Sequence, residues 1–353
     1  MASEWKMGTL PTLRFGAVET VLGEIGRPAP IVTSEHISGV PEQHLMSMWD
    51  RPVDSCVRIC ADVYRIKKPI WHCFVRRPEA NAMASYLRAH DEYAVILTTG
   101  ILEISQAIQK AMASVEVQEF LGLNNGNGPG AENLSVLINI AIRWLAYHEL
   151  GHIQAGHLHI LADREHATSF ELVTDRIGSE DENLTRQALE MDADFFAYHR
   201  VFLDVLGGQF DRLISAATAT PLSSARSIAV AVYAVLRQFE SSKAWTGANT
   251  FTFTHPPTAY RMLGLPAWGE GFIPKLENPS IPIDDWRDAA LRGLQLTDKA
   301  LRGLDNVTRE QALEIYRLNE FDPYFERLLE RWTKVGPSLV PHILGAPPAA
   351  AQL

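Results

Sequence analysis

The chain has 353 residues, 46% of them hydrophobic and 21% charged, with 23 glycines and 20 prolines, values that suit a globular protein and exclude a fibrous or disordered one. A formal net charge of −10 argues against nucleic acid as a partner, since phosphates need a basic surface, and gives no reason to expect an anionic membrane surface. The three cysteines, Cys56, Cys60 and Cys73, form no CxxC pair and suit a reducing compartment, where they act as buried small hydrophobes.

In chain order, the first stretch, MASEWKMGTLPTLRF, lacks a basic end followed by a sustained apolar run, so no secretory signal is expected. Residues 1–66 mix proline and glycine with short apolar pieces and carry no recognisable chemistry. From Lys67 the pattern tightens. PIWHCFV reads as a short strand, and YAVILTTGIL, Tyr93 to Leu102, reads as a buried strand ending at a glycine and leading into a helix over about 103–121. GLNNGNGPGAEN, Gly122 to Asn133, is a loop by composition, with Asn133 placed to cap the long helix that follows.

That helix carries HELGHIQAGH, His148 to His157, after a largely apolar run from Leu134 to Tyr147. His148 and His152 are four residues apart, so their side chains leave the same face one turn apart and can reach one metal ion. Glu149 points roughly 100° away around the axis, where it can accept a proton from an attacking water without being a ligand itself. The competing reading is a pair of hydrogen-bonded core histidines on an ordinary buried helix.

A third ligand separates the two readings, because a catalytic zinc takes three protein ligands and keeps one position open. Two downstream segments have the form ExxxD: Glu171 with Asp175 in FELVTDRIG, and Glu190 with Asp194 in LEMDADFFAYH. The second lies in the better helix, since Leu189, Ala193, Phe196 and Ala197 form a stripe that can pack against the motif helix. Glu190 is therefore the expected ligand, and Asp194, on the same face, is placed to hold the far nitrogen of a ligand histidine. Glu171 reads as part of a solvated acidic face.

Farther on, Leu222 to Ser242 reads as a strongly apolar core helix, and its run IAVAVYAVL, between Arg226 and Arg237, falls well short of the roughly 20 residues a membrane span needs. The expectation is a soluble, cytoplasmic protein. After Gly271 the proline-spaced FIPKLENPSIPID leads into further helices; ALRGL occurs twice without making a solenoid, and TREQ, Thr308 to Gln311, reads as a capping box.

Taken together, these segments resemble the gluzincin metallopeptidases of the HtpX and CAAX-prenyl-protease type. HELGHIQAGH is similar to that family's HExGHxxxxH, including Gly151 and His157; LEMDADFFA is similar to its ExxADxxA helix through Glu190, Ala193, Asp194 and Ala197; THPPTAYRM, Thr254 to Met262, is similar to its THPPxxxR segment. ANAMAS with YAVILTTGIL resembles its asparagine-alanine strand and threonine-glycine-leucine turn, which implies an edge strand along which substrate lies. A weaker resemblance links the chain to the Lit-type phage-exclusion peptidases. The main resemblance spans about Asn81 to Arg261, and many of its members are membrane proteins, whereas no span is expected here.

The resemblance implies a mainly α fold with a small mixed β-sheet and a zincin-like core over 67–270, to which composition adds a C-terminal helical region over 271–343 and a disordered tail over 344–353. It implies one zinc per chain held by His148, His152 and Glu190, with Asp194 supporting a ligand and Glu149 as general base. It also implies that His255 lies near the metal and stabilises the oxyanion, with Arg261 ordering the site. The expected activity is hydrolysis of a protein or peptide substrate. The alternative is a non-catalytic zinc-binding module of the same fold, which gains nothing from a glutamate beside an open coordination position. Oligomeric state and the substrate's identity are left open.

Overall fold

A computed structural model describes residues 8–11, 14–24, 28–32, 40–123, 131–160, 169–171, 179–206, 220–239, 254–275, 281–302 and 318–344. Its sheet is built on apolar, β-branched segments: β3 (Ile70–Val75), β4 (Ala82–Leu87) and β5 (Glu92–Thr98), which are buried along nearly their whole length. Parallel pairing of β3 with β5 and antiparallel pairing of β5 with β4 give a mixed sheet. The first strands of the chain extend it: β1 (Gly8–Thr9) pairs parallel and β2 (Ile31–Val32) antiparallel with β3. The N-terminal segment that reads as featureless in sequence thus contributes two strands, and with them the helices α1 (Phe15–Glu24) and α2 (Val40–Tyr64).

The strand order is β1-β3-β5-β4-β6, with β2 also on β3. The last member, β6 (Ser169–Glu171), pairs antiparallel with β4 over Met83 to Ser85. The expected edge strand at β4 is therefore flanked on both sides at those three positions. Glu171 lies in β6, while Asp175 falls outside the described residues.

Helices make up most of the remainder. The helix expected over 103–121 is two, α3 (Leu102–Met112) and α4 (Val115–Phe120), because Ser114 adopts an extended conformation (φ −75°, ψ 126°) that breaks the first and starts the second. The motif helix α5 (Ala131–Gln154) begins earlier than expected, which puts Asn133 inside its first turn and not at its cap. It packs against α6 (Glu180–Leu206) and α7 (Pro221–Gln238), with α2 on another side. Thr220 caps α7 in a capping box with Ser223, and its residues from Ser227 to Leu236 are buried, as the apolar run implies.

The remaining helices are α8 (Thr258–Phe272), α9 (Ile283–Arg302) and α10 (Leu318–Leu339). Helix α9 covers α7, and α10 covers α6. Trp286, Leu294, Tyr324, Leu328 and Leu339 from these C-terminal helices are buried in the same apolar cluster as Trp144 and Leu150 of the motif helix. The capping box at Thr308 and the tail after Leu344 lie outside the described residues. All three cysteines are free and buried.

One buried ionic group ties the central helices together. Asp204 of α6 accepts a hydrogen bond from the Tyr147 hydroxyl at 2.5 Å and from Arg143 Nη1 at 3.4 Å, both on α5, and lies 3.6 Å from Arg200. Arg200 also sits over the rings of Tyr64 and Tyr147, so α5 is anchored to α6 and to the end of α2 at Arg143 and Tyr147 as well as at the histidines. Among the described residues no helix is long and apolar enough to cross a membrane.

Candidate metal centre

Two residue pairs, each four apart, meet where α5 crosses α6. His148 and His152 face Glu190 and Asp194 because the helices approach closely at Gly151: a Cβ there would lie 3.2 Å from the Ala193 Cα and 3.3 Å from Phe196. A small residue on each side lets two backbones come near enough for short carboxylates to reach across. The sequence stripe Leu189, Ala193, Phe196 and Ala197 is buried.

The ring nitrogens of the two histidines divide cleanly into an inner and an outer set. The Nε2 atoms of His148 and His152 lie 3.2 Å apart, and Glu190 stands 3.3 Å from the first and 3.7 Å from the second. These ligand atoms all lie within 4.8 Å of one another. Donors placed tetrahedrally about a zinc ion at its usual bond lengths are about 3.3 Å apart, so the three groups are spaced as ligands of a single ion. The outer nitrogen of His148, Nδ1, donates to Asp194 Oδ1 at 2.9 Å, as expected from the shared face of Glu190 and Asp194.

The charge balance also fits a cation. Glu149, Glu190, Asp192 and Asp194 are all buried together, and Arg261 is the buried arginine beside them. Carboxylates removed from water need compensation. No side chain hydrogen-bonds the Glu149 carboxyl among the described residues; the Ala84 backbone N–H of β4 favours its charged form, and Glu190 is faced by His255, His148, Arg261 and His152 at 3.2–3.7 Å. Two buried carboxylates beside inward-facing imidazole nitrogens make a donor set of the kind that holds a divalent ion.

Protonation in the metal-free site follows from the same contacts. Burial pulls the His148 imidazole down, but its hydrogen bonds to Asp194 and Glu190 outweigh that and push it up to about 9. Burial pushes the His152 imidazole well below its ordinary value. For Glu190, burial acts upward, and the attraction of His255 together with hydrogen bonds from His148 and His255 overturns it, leaving the carboxyl well below the usual range. Glu149 is pushed up to about 8 by burial, which His148 partly offsets.

The THPP segment closes the site from another side. His255 Nε2 lies 3.2 Å from Glu190 Oε1, and the His255 side chain is 16% exposed where the other site groups are sealed. Its Nδ1 is 3.0 Å from the Thr254 hydroxyl. Arg261, on α8, donates through Nε and Nη2 to the two oxygens of Asp194 at 2.8 and 2.6 Å and lies 3.6 Å from Glu190. A bidentate buried pair of this kind fixes the carboxylate's plane. Arg261 therefore reaches the histidine through Asp194 and is not directed at open space.

Sequence reasoning assigned no role to three neighbours. Trp144, one turn before His148, stacks on its ring at 5.5 Å and lies beneath the Arg261 guanidinium; the four-residue spacing is the signal that could have found it. His157 and Asp192 also converge on the site, 3.2 Å apart. His157 was visible only as a match to a pattern, and Asp192 only as an additional acid in LEMDAD.

The profile of the family Peptidase U49 matches residues 126–265, from just before the motif helix, through His148 to Asp194 and the THPP segment, into α8. This is the family of the Lit-type peptidases. No curated protein and no solved structure matches the chain. The match and the His-His-Glu cluster together point to a peptidase, and of the two resemblances read from sequence the finding falls on the Lit-type one.

Proposed function

We propose that this chain is a zinc-dependent endopeptidase with a zincin-like core, in which His148, His152 and Glu190 hold the metal and Glu149 is the general base. The observation that carries the reading is the spacing of three inward ligand atoms beside the buried Glu149 carboxyl, which no side chain hydrogen-bonds among the described residues. Similarity to Peptidase U49 over 126–265 supports the hydrolytic class.

A zinc ion bound there supplies Lewis acidity, which polarises a carbonyl and makes water nucleophilic near neutral pH. Glu149 takes the proton from the attacking water and delivers it to the departing amide nitrogen. Burial favours the protonated form of this carboxyl, which helps it hold the proton between acceptance and release. Burial excludes bulk water and strengthens every charge interaction in the site. His255, the group nearest solvent and beside Glu190, is the donor we assign to the oxygen on which negative charge develops. Arg261 and Asp194 keep His148 in the tautomer whose lone pair faces inward.

The test joins metal analysis to cleavage of an unfolded, casein-type substrate. Wild type is expected to hold one zinc per chain. Glu149→Gln keeps the metal and loses activity by about 10²- to 10⁴-fold, whereas Glu190→Ala loses most of the metal as well. A wild-type protein that takes up no zinc, or a Glu149→Gln variant that cleaves normally, overturns the reading.

A further inference from the structure

The metal site just proposed gives His148 a direct carboxylate support, while the outer nitrogen of His152 points elsewhere. It points to His157. Helix α5 ends at Gln154, and Gly156, at φ +76°, turns the chain so that residues 157–160 begin a new helical turn. The turn returns the His157 ring to His152, with the two Nδ1 atoms 2.9 Å apart. On the opposite side of that ring, His157 Nε2 lies 3.2 Å from Asp192 Oδ2. His152 and His157 are fully buried and Asp192 is 2% exposed.

Two facing nitrogens at this distance share one proton, and chemistry fixes its owner. A metal ligand needs a lone pair on the inward nitrogen, and His152 Nε2 is the one beside His148 and Glu190. The proton of His152 therefore sits on Nδ1 and is donated to His157 Nδ1. His157, in turn, carries its own proton on Nε2, the atom facing Asp192 at 3.2 Å in an ion-pair contact that is not an aligned hydrogen bond. We propose that His157 and Asp192 are positioning residues for the metal, a two-step support that locks the tautomer and ring angle of His152 as Asp194 does for His148. Asp192 and Asp194 lie on the same helix as Glu190, so one helix supplies a ligand and both supports.

The support is also sealed. The Trp332 ring of α10 meets His157 edge-on at 6.1 Å and 77°, which keeps water from competing for the shared proton. This inference rests on the metallopeptidase reading above, and the experiment separates the two.

Zinc affinity of the full-length chain, stripped with a chelator and titrated against a chromophoric competitor, is compared for wild type, His157→Phe, His157→Gln and Asp192→Asn. The thermal midpoint of each metal-free form is recorded alongside. Phenylalanine fills the space but accepts no proton, and zinc affinity is expected to fall about 10- to 100-fold, with the metal-free midpoint close to wild type. Glutamine offers an oxygen to His152 and recovers most of the loss; Asp192→Asn falls by about 10-fold. Wild-type affinity in His157→Phe, or equal weakness in the phenylalanine and glutamine variants, overturns the inference while leaving the zinc site standing. If His157→Phe does not fold, Asp192→Asn decides alone, and unchanged affinity there defeats the proposal. A wild type that binds no zinc defeats the metallopeptidase reading itself, and the support with it.

Discussion

A carboxyl group and an imidazole sit side by side at the dry crossing of two helices, and in the metal-free protein each holds its proton more tightly than it would in water. Glu149 is raised to about 8, by burial first. His148 reaches about 9 although burial acts against it, because Asp194 and Glu190 favour its charged form. An unfolded chain releases these protons near the ordinary glutamate and histidine values, so the folded state binds more of them across the interval between. The stability they contribute is full at low pH and is lost as pH rises through about 8 and 9. The thermal midpoint of the metal-free protein is therefore expected to decline from near neutrality to about pH 9, and the decline should flatten in His148→Ala. Zinc reverses the trend, since a ligand histidine must lose its proton before it binds, and affinity should climb over the same range. Scanning calorimetry on chelated and zinc-loaded samples decides the matter; a metal-free midpoint that increases over this interval contradicts the assignment.

At the level of elements, the site is a consequence of how closely α5 and α6 can approach. Gly151 and Ala193 make that approach, and a Cβ at Gly151 already touches at 3.2 Å. Gly151→Ala asks the neighbours to yield by a few tenths of an ångström, whereas Gly151→Val forces the helices apart. Valine is expected to abolish stoichiometric zinc binding while alanine retains much of it, as elemental analysis of the two proteins would reveal. A second buried contact between the same two helices gives a contrasting prediction. Asp204 is the carboxylate between Arg143 and Arg200, all three at 5% exposure or less. Removing it leaves buried cations uncompensated, at a cost of about 3–5 kcal/mol, so Asp204→Ala should lower the denaturant midpoint sharply. Because Asp204 lies ten residues beyond Asp194 on α6 and contacts Arg143, Tyr147 and Arg200, the fraction that stays folded should bind zinc with wild-type affinity.

These elements also mark how much could be read beforehand. His148, His152, Glu190 and Asp194 were legible because a four-residue spacing has one geometric meaning on a helix, and two such pairs can face each other in few ways. The start of α5 was not: Asn133 has the chemistry of a cap, but helix formation continues back to Ala131. The break at Ser114 was hidden because the residues on either side favour helix equally well. His157 required Gly156, a turn whose direction depends on three-dimensional packing: a Cβ on Gly156 would lie 2.6 Å from His342, far along the chain. Asp50 of α2, which meets His72 of β3 at 2.8 Å, carried no signal in a segment that showed no chemistry in sequence.

For the whole molecule, the question is whether the C-terminal helices are a removable cover or part of the body. Amphipathic helices read alike in both cases, because sequence shows an apolar face without showing what it meets. The structure places that face against the core. Trp286 and Leu294 of α9 pack into the cluster around α7, while Tyr324, Leu328 and Leu339 of α10 join the same cluster beside α6. The Tyr324 hydroxyl donates to Gln187 at 2.8 Å, and the Leu344 N–H donates to the Gln154 carbonyl at the end of the motif helix, also at 2.8 Å. Fully burying each large apolar side chain contributes about 1.5–3 kcal/mol, so these five alone outweigh much of the 5–15 kcal/mol that is the usual net stability of a domain. Trimming the chain after Glu270 is therefore expected to yield protein that fails to melt cooperatively and is digested rapidly by trypsin, not a shorter peptidase with a freed cleft. Trimming after Leu344 removes none of these contacts and should leave both the melt and zinc affinity unchanged. If the chain ending at Glu270 folds and turns over peptide as the full protein does, α9 and α10 are dispensable covers, and the support that Trp332 gives His157 is dispensable with them.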